Sequence, residues 1–574
     1  MNRLQARLST LARPATGLVW QPEPRSIGSF ARGRQLCAGN FLFAGDLVEA
    51  PDVSIWDLPV PSRAFAEALH GFGWLDDLAA TADGPARRRA QDWTLGWIAQ
   101  FGQGRGPGWT PDLTGRRLIR WIHHALLLLN GQHKAGSEAI YRSLAQQTNF
   151  LARRWKSAHP GLPRFEALTG LIYAGLSLTG MDRHLVPALR ALERECDAQI
   201  DAGGAIPTRN PEELLEVFTL LTWAEAALTG AGRTPGLGHR SAIARIAPTL
   251  RALRHADGGL ARFHGGGRGQ EGRLDQALAD SGIRPHPLAG LTMGYARLSS
   301  GRTSVIVDAA VPPAVQVSQN AHASTLAFEL TSGRRPLVVN CGAGASFGEE
   351  WRRAGRATQS HSTLAIEGFS SSRLGPARRG PERTLLVETP QIVEVRHETD
   401  RGGQVLTAWH DGYARTHGLT HVRRLQLAYD GRALSGEDTL AAFTDEERAV
   451  FDTAMDRVKL QGIGFAIRFH LHPDVDAALD MGGQAVSLAL KSGEIWVFRH
   501  NAEADLRLER SVYLEKGRLK PRATKQIVLS ARVMDYASLI TWTLAKAQDT
   551  PRALRDLEDE DADGSGMPRW TRPD

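Results

Sequence analysis

Two histidines stand at the heads of strand-like runs, His322 in NAHASTLAFEL (320–330) and His361 in TQSHSTLAIEG (358–368), with Asn340 and Cys341 between them in PLVVNCG. An imidazole moves protons near neutral pH or holds a metal through a ring nitrogen, so a pair brought together by the fold suits either task. His470 and His472 in RFHLHP lie two apart, hence on one strand face, a spacing that serves a metal, a relay or a plain polar edge. Tyr413 and His417, with Arg423 and Arg424 following, could face an anionic ligand. Asp257 and His264 fall in HADGGLARFHGGG, where glycines let backbone approach a ligand closely. Glu166 and Asp257 are carboxylates that would hydrolyse a glycoside if the fold set them roughly 5–10 Å apart.

Positioning such residues needs a large scaffold, and 574 residues exceed what one hydrophobic core serves, so at least two domains are expected. With 42% hydrophobic and 23% charged residues the composition is globular. No window approaches the roughly 18 uncharged apolar residues of a membrane span. MNRLQARLSTLARPATGLVW has no apolar core followed by a small-residue cleavage site, and Cys37, Cys196 and Cys341 are odd in number and far apart. Both features point to a reducing, cytoplasmic setting. The net charge of +7 comes mainly from scattered arginines. Without zinc-finger spacing, an RNP-like motif or a phosphate loop, no nucleic-acid partner is expected.

The apolar spacing changes period along the chain. Helical spacing runs through about 62–80, 86–101, 165–178, 184–200 and 238–254, and Leu118, Ile122, Ala125 and Leu129 share a face before the Asn130-Gly131 stop. Ile140, Leu144, Leu151 and Trp155 share another. In NPEELLEVFTLLTWAEAAL, Asn210 can cap, Pro211 suits the first helical position and Glu213 sits where a capping box wants it. No fixed-length repeat is visible, which favours an irregular helical toroid or bundle. After about residue 290 the period becomes two, with Asp430-Gly431 and Ser492-Gly493 as hairpin turns, so a large antiparallel sandwich follows.

This order of halves, together with GRRLIRWIHHALLL, HADGGLARFHGGG, NAHASTLAFEL, VVNCG, SHSTLAIEG and IRFHLHP, resembles the heparinase II/III-like proteins. The resemblance implies an (α/α) incomplete toroid joined to an antiparallel β-sandwich. The boundaries are an N-terminal extension at 1–40, a toroid at 41–290, a sandwich at 291–545 and a polar tail at 546–574. It also implies β-elimination on a uronic-acid polymer: a base takes the proton α to the carboxyl and an acid protonates the departing glycosidic oxygen.

Carried across by position, the resemblance places a zinc on His322, Asn340 and His361, and a catalytic group at Asn320. The family aspartate is Asn340 here, and a neutral amide is a poor ligand for zinc. The family's Asn-His pair is absent from GLPRFEALTGLIYAGL, and the tyrosine that follows its Ser-Pro is absent from TRNPEELLE. Arg209 would then neutralise the uronate, with His322 and His472 near the reacting sugar. Asn210, Asp257, His264, Trp109 and Arg424 are the substrate-binding candidates.

Each candidate has a structural alternative. Period-two alternation puts His322 on the face of Ser324, Leu326 and Phe328, where Asn340 could satisfy it without metal. Asn210 has work enough as a helix cap, and the tryptophans at helical spacing can fill core. The sequence therefore supports a lyase acting on an acidic polysaccharide, or a catalytically degenerate carbohydrate-binding or cell-envelope-associated protein on the same scaffold.

Overall fold

The computed structural model describes residues 1–286, 288–376, 384–501 and 503–547, so nearly all of the expected polar tail lies outside the described residues. Its helical half runs from Arg63–Gly71 through Pro111–His123, Lys134–Arg154, Leu162–Ser177, Leu185–Gln199 and Pro211–Gly230 to Leu237–Ala252. The turns that separate these helices are local chemistry. The expected 62–80 helix is two helices broken at Phe72, which takes a left-handed conformation (φ 61°). The Leu118–Leu129 run is likewise interrupted at His124. Asn210 caps Pro211–Gly230 as expected, its Oδ1 accepting the Glu212 and Glu213 N–H groups. Glu213 does not close a capping box.

Inside the helical layer Arg117 is fully buried. Its guanidinium stacks 4.0 Å over Trp97 and donates to Gln147 and to the His70 and Gly108 carbonyls. Burial pulls its pKa down to about 9.

The C-terminal half is two eight-stranded sheets whose neighbouring strands pair antiparallel. Asp430-Gly431 and Ser492-Gly493 turn between paired strands. Between the sheets Phe328, Phe469, Phe498 and Trp542 pack ring against ring. Under them Asp438 accepts from Arg423, His421 and the Trp542 indole. Burial would raise that carboxyl, but Arg423 and His421 together outweigh it and hold it well below the usual range.

The two halves share one apolar core, because the helical cluster continues into Met293, Tyr295, Ile306 and Ala327. At the seam Arg209 donates to the carbonyls of Met293, Gly294, Ala310 and Val311, and lies 2.5 Å from Asp308. The Tyr295 ring packs under the guanidinium at 4.9 Å, and its hydroxyl donates to the Arg209 carbonyl. Gly294 is required there: its φ is +79°, and a Cβ would meet the guanidinium at 2.6 Å.

Candidate functional site

A cavity of about 490 Å³ opens between the halves. Phe165, Ile206 and Val217 give it an apolar wall, and the turn Val315–Asn320 forms an exposed lip on the sandwich side. His264 and Asn320 are the two sequence candidates that line it. The residues that sequence reasoning missed as lining are Glu213, Gln199, Gln316 and Gln319. Only Glu213 carried a signal, and its place in the first helical turn was more simply read as a cap.

His322 and His361 sit behind this wall and are brought together, with His322 Nδ1 3.0 Å from His361 Nε2. The tautomers follow from the partners. His361 Nδ1 faces the Ala357 carbonyl, which can only accept, so that nitrogen carries the proton and Nε2 is the acceptor. His322 must then donate through Nδ1, leaving its Nε2 lone pair bare. Burial keeps both rings neutral, with His361 pulled down to about 4 and His322 held well below its ordinary value. The expected strand alternation around His322 does not hold, because the strand begins only at Phe328, and Leu326 in the preceding loop has φ +62°. Arg423 fixes both histidine loops by donating to the Leu326 and Ser362 carbonyls.

His264 joins the cluster through its Nδ1, which accepts the His322 backbone N–H at 3.2 Å. Its Nε2 therefore bears the proton and faces Asp308 Oδ2 at 3.4 Å, a long contact. Asp308 also accepts from Ser324 and Arg209. Neither nitrogen of His264 retains a lone pair directed at the cleft.

The zinc fit fails on donor chemistry. His322 and His361 converge as two ligating imidazoles would, and the carbonyl on His361 Nδ1 is an ordinary partner for a ligating ring, but the third position is the neutral amide of Asn340, whose Oδ1 already accepts the Ser362 N–H at 3.0 Å. Asn340 Nδ2, which can only donate, is the atom left without a partner. Among the described residues no group of three His, Cys, Asp or Glu side chains is placed to hold a metal.

Several expected roles are corrected. Arg209 was expected to neutralise a uronate, but its donors are engaged at the seam. Asn210 is engaged as well, with Nδ2 donating to the His264 carbonyl. Trp109, a proposed sugar platform, is 2% exposed and donates to the Phe101 carbonyl within the toroid. Arg424 pairs with Glu437 directly opposite on the neighbouring strand of its own sheet and does not line the cleft. His472 packs on Tyr513 and accepts the Asp474 N–H away from the cleft lining, and burial pulls it down to about 3. Asp257 accepts the Gly259 N–H beside a smaller cavity of about 240 Å³. Burial would raise its carboxyl, but Arg262, His255 and Arg268 hold it low. None of the seven tyrosines lines the cleft, and besides His264 its only histidine is His159 at the rim.

A second cavity, about 440 Å³, lies between the N-terminal segment and the helices Pro111–His123, Leu162–Ser177 and Pro211–Gly230, with Leu162 lining both cavities. Here charges abound and are paired: Arg116 with Glu166 at 2.5 Å, Arg120 with Asp76 at 3.4 Å and Arg273 with Glu216 at 2.6 Å. Burial lifts Glu166 to about 7 despite Arg116. Asp76 is instead held at about 2, because Arg120, His124 and Ser26 outweigh its burial.

Residues 283–543 match the family described as heparinase II/III-like, C-terminal. Over 566 residues the chain is 32% identical to FtsZ-localized protein C of Caulobacter vibrioides (strain NA1000 / CB15N), spanning 94% of this chain and 92% of that protein. Among solved structures, heparinase III superposes with a TM-score of 0.67 at 11% identity, over 95% of this chain and 89% of that one. A mutant of the heparan sulfate lyase HepC from Pedobacter heparinus gives 0.59 at 15% identity, over 96% and 88%. At these identities the likeness to the solved structures is one of fold.

Proposed function

Because this chain belongs to the heparinase II/III-like family, we propose that it is a saccharide-binding member that does not carry out β-elimination and works in association with FtsZ. The observation that carries the first part is the state of the cleft. No tyrosine lines it, neither nitrogen of His264 offers a lone pair to the cleft, and the guanidinium of Arg209 is held by the seam. Elimination needs a base within hydrogen-bond reach of the α-carbon and a cation or donor at the carboxylate. Asn320 and His159 at the rim do not replace that set. The cleft nevertheless keeps the size of a small-molecule site, roughly 300–1,000 Å³.

The association with FtsZ rests on the near full-length relative, whose name describes it as FtsZ-localized. A cytoplasmic setting is part of the proposal and is supported by three free cysteines, two of them buried. The His322–His361 pair acts without zinc in this reading, as a neutral hydrogen-bonded brace behind the cleft wall.

Purified protein incubated with heparan-type and other uronate polymers is expected to give no ultraviolet absorbance from an unsaturated uronate, with or without added zinc. A rise that disappears in His322→Ala would overturn the non-eliminating reading. A fluorescent fusion is expected to follow FtsZ in dividing cells, and a diffuse distribution would remove that part of the proposal.

A further inference from the structure

We infer that the interdomain cleft takes an uncharged saccharide bearing an acylamino group, such as an N-acetylhexosamine unit, and discriminates against uronates. The inference rests on the saccharide-binding reading above and names its ligand class. A uronate site must compensate a carboxylate, yet among the described residues no lysine or arginine lines this cavity. The one carboxylic acid among the described residues that does line it is Glu213, which would repel a second carboxylate if charged.

Glu213 shows how the cavity treats charge. It is partly exposed at the cleft, yet burial dominates its surroundings and pushes its carboxyl up, while Thr208 and Lys516 act in the opposite direction. An environment that disfavours even its own carboxylate disfavours a second one brought by a ligand.

What the cavity offers instead is amides. Gln199, Gln316, Gln319 and Asn320 line it, and the last three stand exposed on the lip. A side-chain amide presents a donor and an acceptor without charge, which matches sugar hydroxyls and a secondary amide alike. Facing them, Phe165, Ile206 and Val217 form an apolar wall with no polar group to satisfy. An acetyl methyl is the part of such a ligand that gains from that wall. A free ammonium in its place would lose that gain and face no carboxylate but Glu213.

Calorimetric titration of the full chain with three trisaccharides tests this: N-acetylglucosamine trisaccharide, its de-N-acetylated counterpart and a heparan-type uronate oligosaccharide. The acetylated sugar is expected to bind roughly tenfold or more tightly than either of the others. Gln319→Ala and Asn320→Ala, both at exposed positions that leave melting unchanged, are each expected to weaken it by about three- to tenfold. Glu213→Gln is expected to narrow the gap to the uronate.

Tighter binding of the uronate would overturn the inference and leave the saccharide-binding reading standing. Acetylated binding indifferent to both lip variants would overturn it too, by placing the site elsewhere. If none of the three binds, the inference falls; a wider panel of neutral and charged glycans then decides the underlying reading, which falls as well if no glycan is retained.

Discussion

The two cavities that meet at Leu162 treat charge in opposite ways. The one beneath the N-terminal segment is lined by arginines and carboxylates held against each other, whereas the interdomain cleft has, among the described residues, one carboxylic acid, no lysine or arginine and a rim of amides. The comparison shows where the basic excess of this chain goes. Arg209, Arg423 and Arg424, which a sequence reading assigns to an acidic substrate, are engaged in ion pairs and, for Arg209 and Arg423, with backbone carbonyls, and Arg117 is engaged in an aromatic stack. A net charge of +7 is therefore no guide to the charge of the ligand.

The sharpest way to break this comparison is to remove an engaged arginine. Arg209→Ala leaves Asp308 buried without its cation, and losing one partner of a buried pair costs about 3–5 kcal/mol. Scanning calorimetry is expected to register a large drop in the melting temperature. A change of only a degree or two would mean that Arg209 is less tied to the seam than its five contacts imply, and would return it to the list of ligand-binding groups.

Next in size are opposite pH responses on the two sides. Glu166 is raised to about 7 in the folded chain from an ordinary 4.5, so its contribution is full below pH 4.5 and lost as pH rises towards 7. His361 is lowered to about 4 from 6.5, so its contribution is present above pH 6.5 and lost as pH falls towards 4. Each is on the order of 1–3 kcal/mol. Melting curves from pH 4 to 8 are expected to show Glu166→Gln flattening the loss on the alkaline side and His361→Gln the loss on the acid side. Profiles of both variants parallel to the parent would show that the two environments do not differ as described.

The smallest effects belong to residues outside both networks. Asn320→Ala and Arg424→Ala each change stability by no more than about 0.5 kcal/mol, as surface substitutions do. Only the first is expected to weaken ligand in the cleft. A loss of binding in Arg424→Ala would move the site to the outer sheet and undo the contrast between the cavities.

Much of the scaffold was legible in the chain. Helical spacing up to Ala252 and alternation after Tyr295 gave the order of the halves, and the Asn210-Pro211 start and both Gly-containing hairpin turns stand where their chemistry places them. The helices of the strand-rich half were missed, the longest of them Asp445–Arg457 although Thr444 and Glu447 form a capping box at its start. Short signals of this kind are easily outweighed by the strand patterns around them. His322 was misplaced on a strand face because TLAF alternates in sequence while the whole segment from Ala321 to Ser332 is buried, leaving no exposed side to fix the register.

What the sequence by itself determined is local: caps, turns, periodicity, and the family to which the histidine segments belong. The tertiary structure alone decided which polar groups remain available. Arg209 finds its acceptors 84 to 102 residues away, and His322 and His361 lie 39 apart. Backbone carbonyls have no side-chain identity, so nothing in the residue types marks which of them will face a guanidinium or fix a tautomer. That choice follows from how the toroid packs on the sandwich, and with it the difference between a group poised for chemistry and the same group holding the scaffold together.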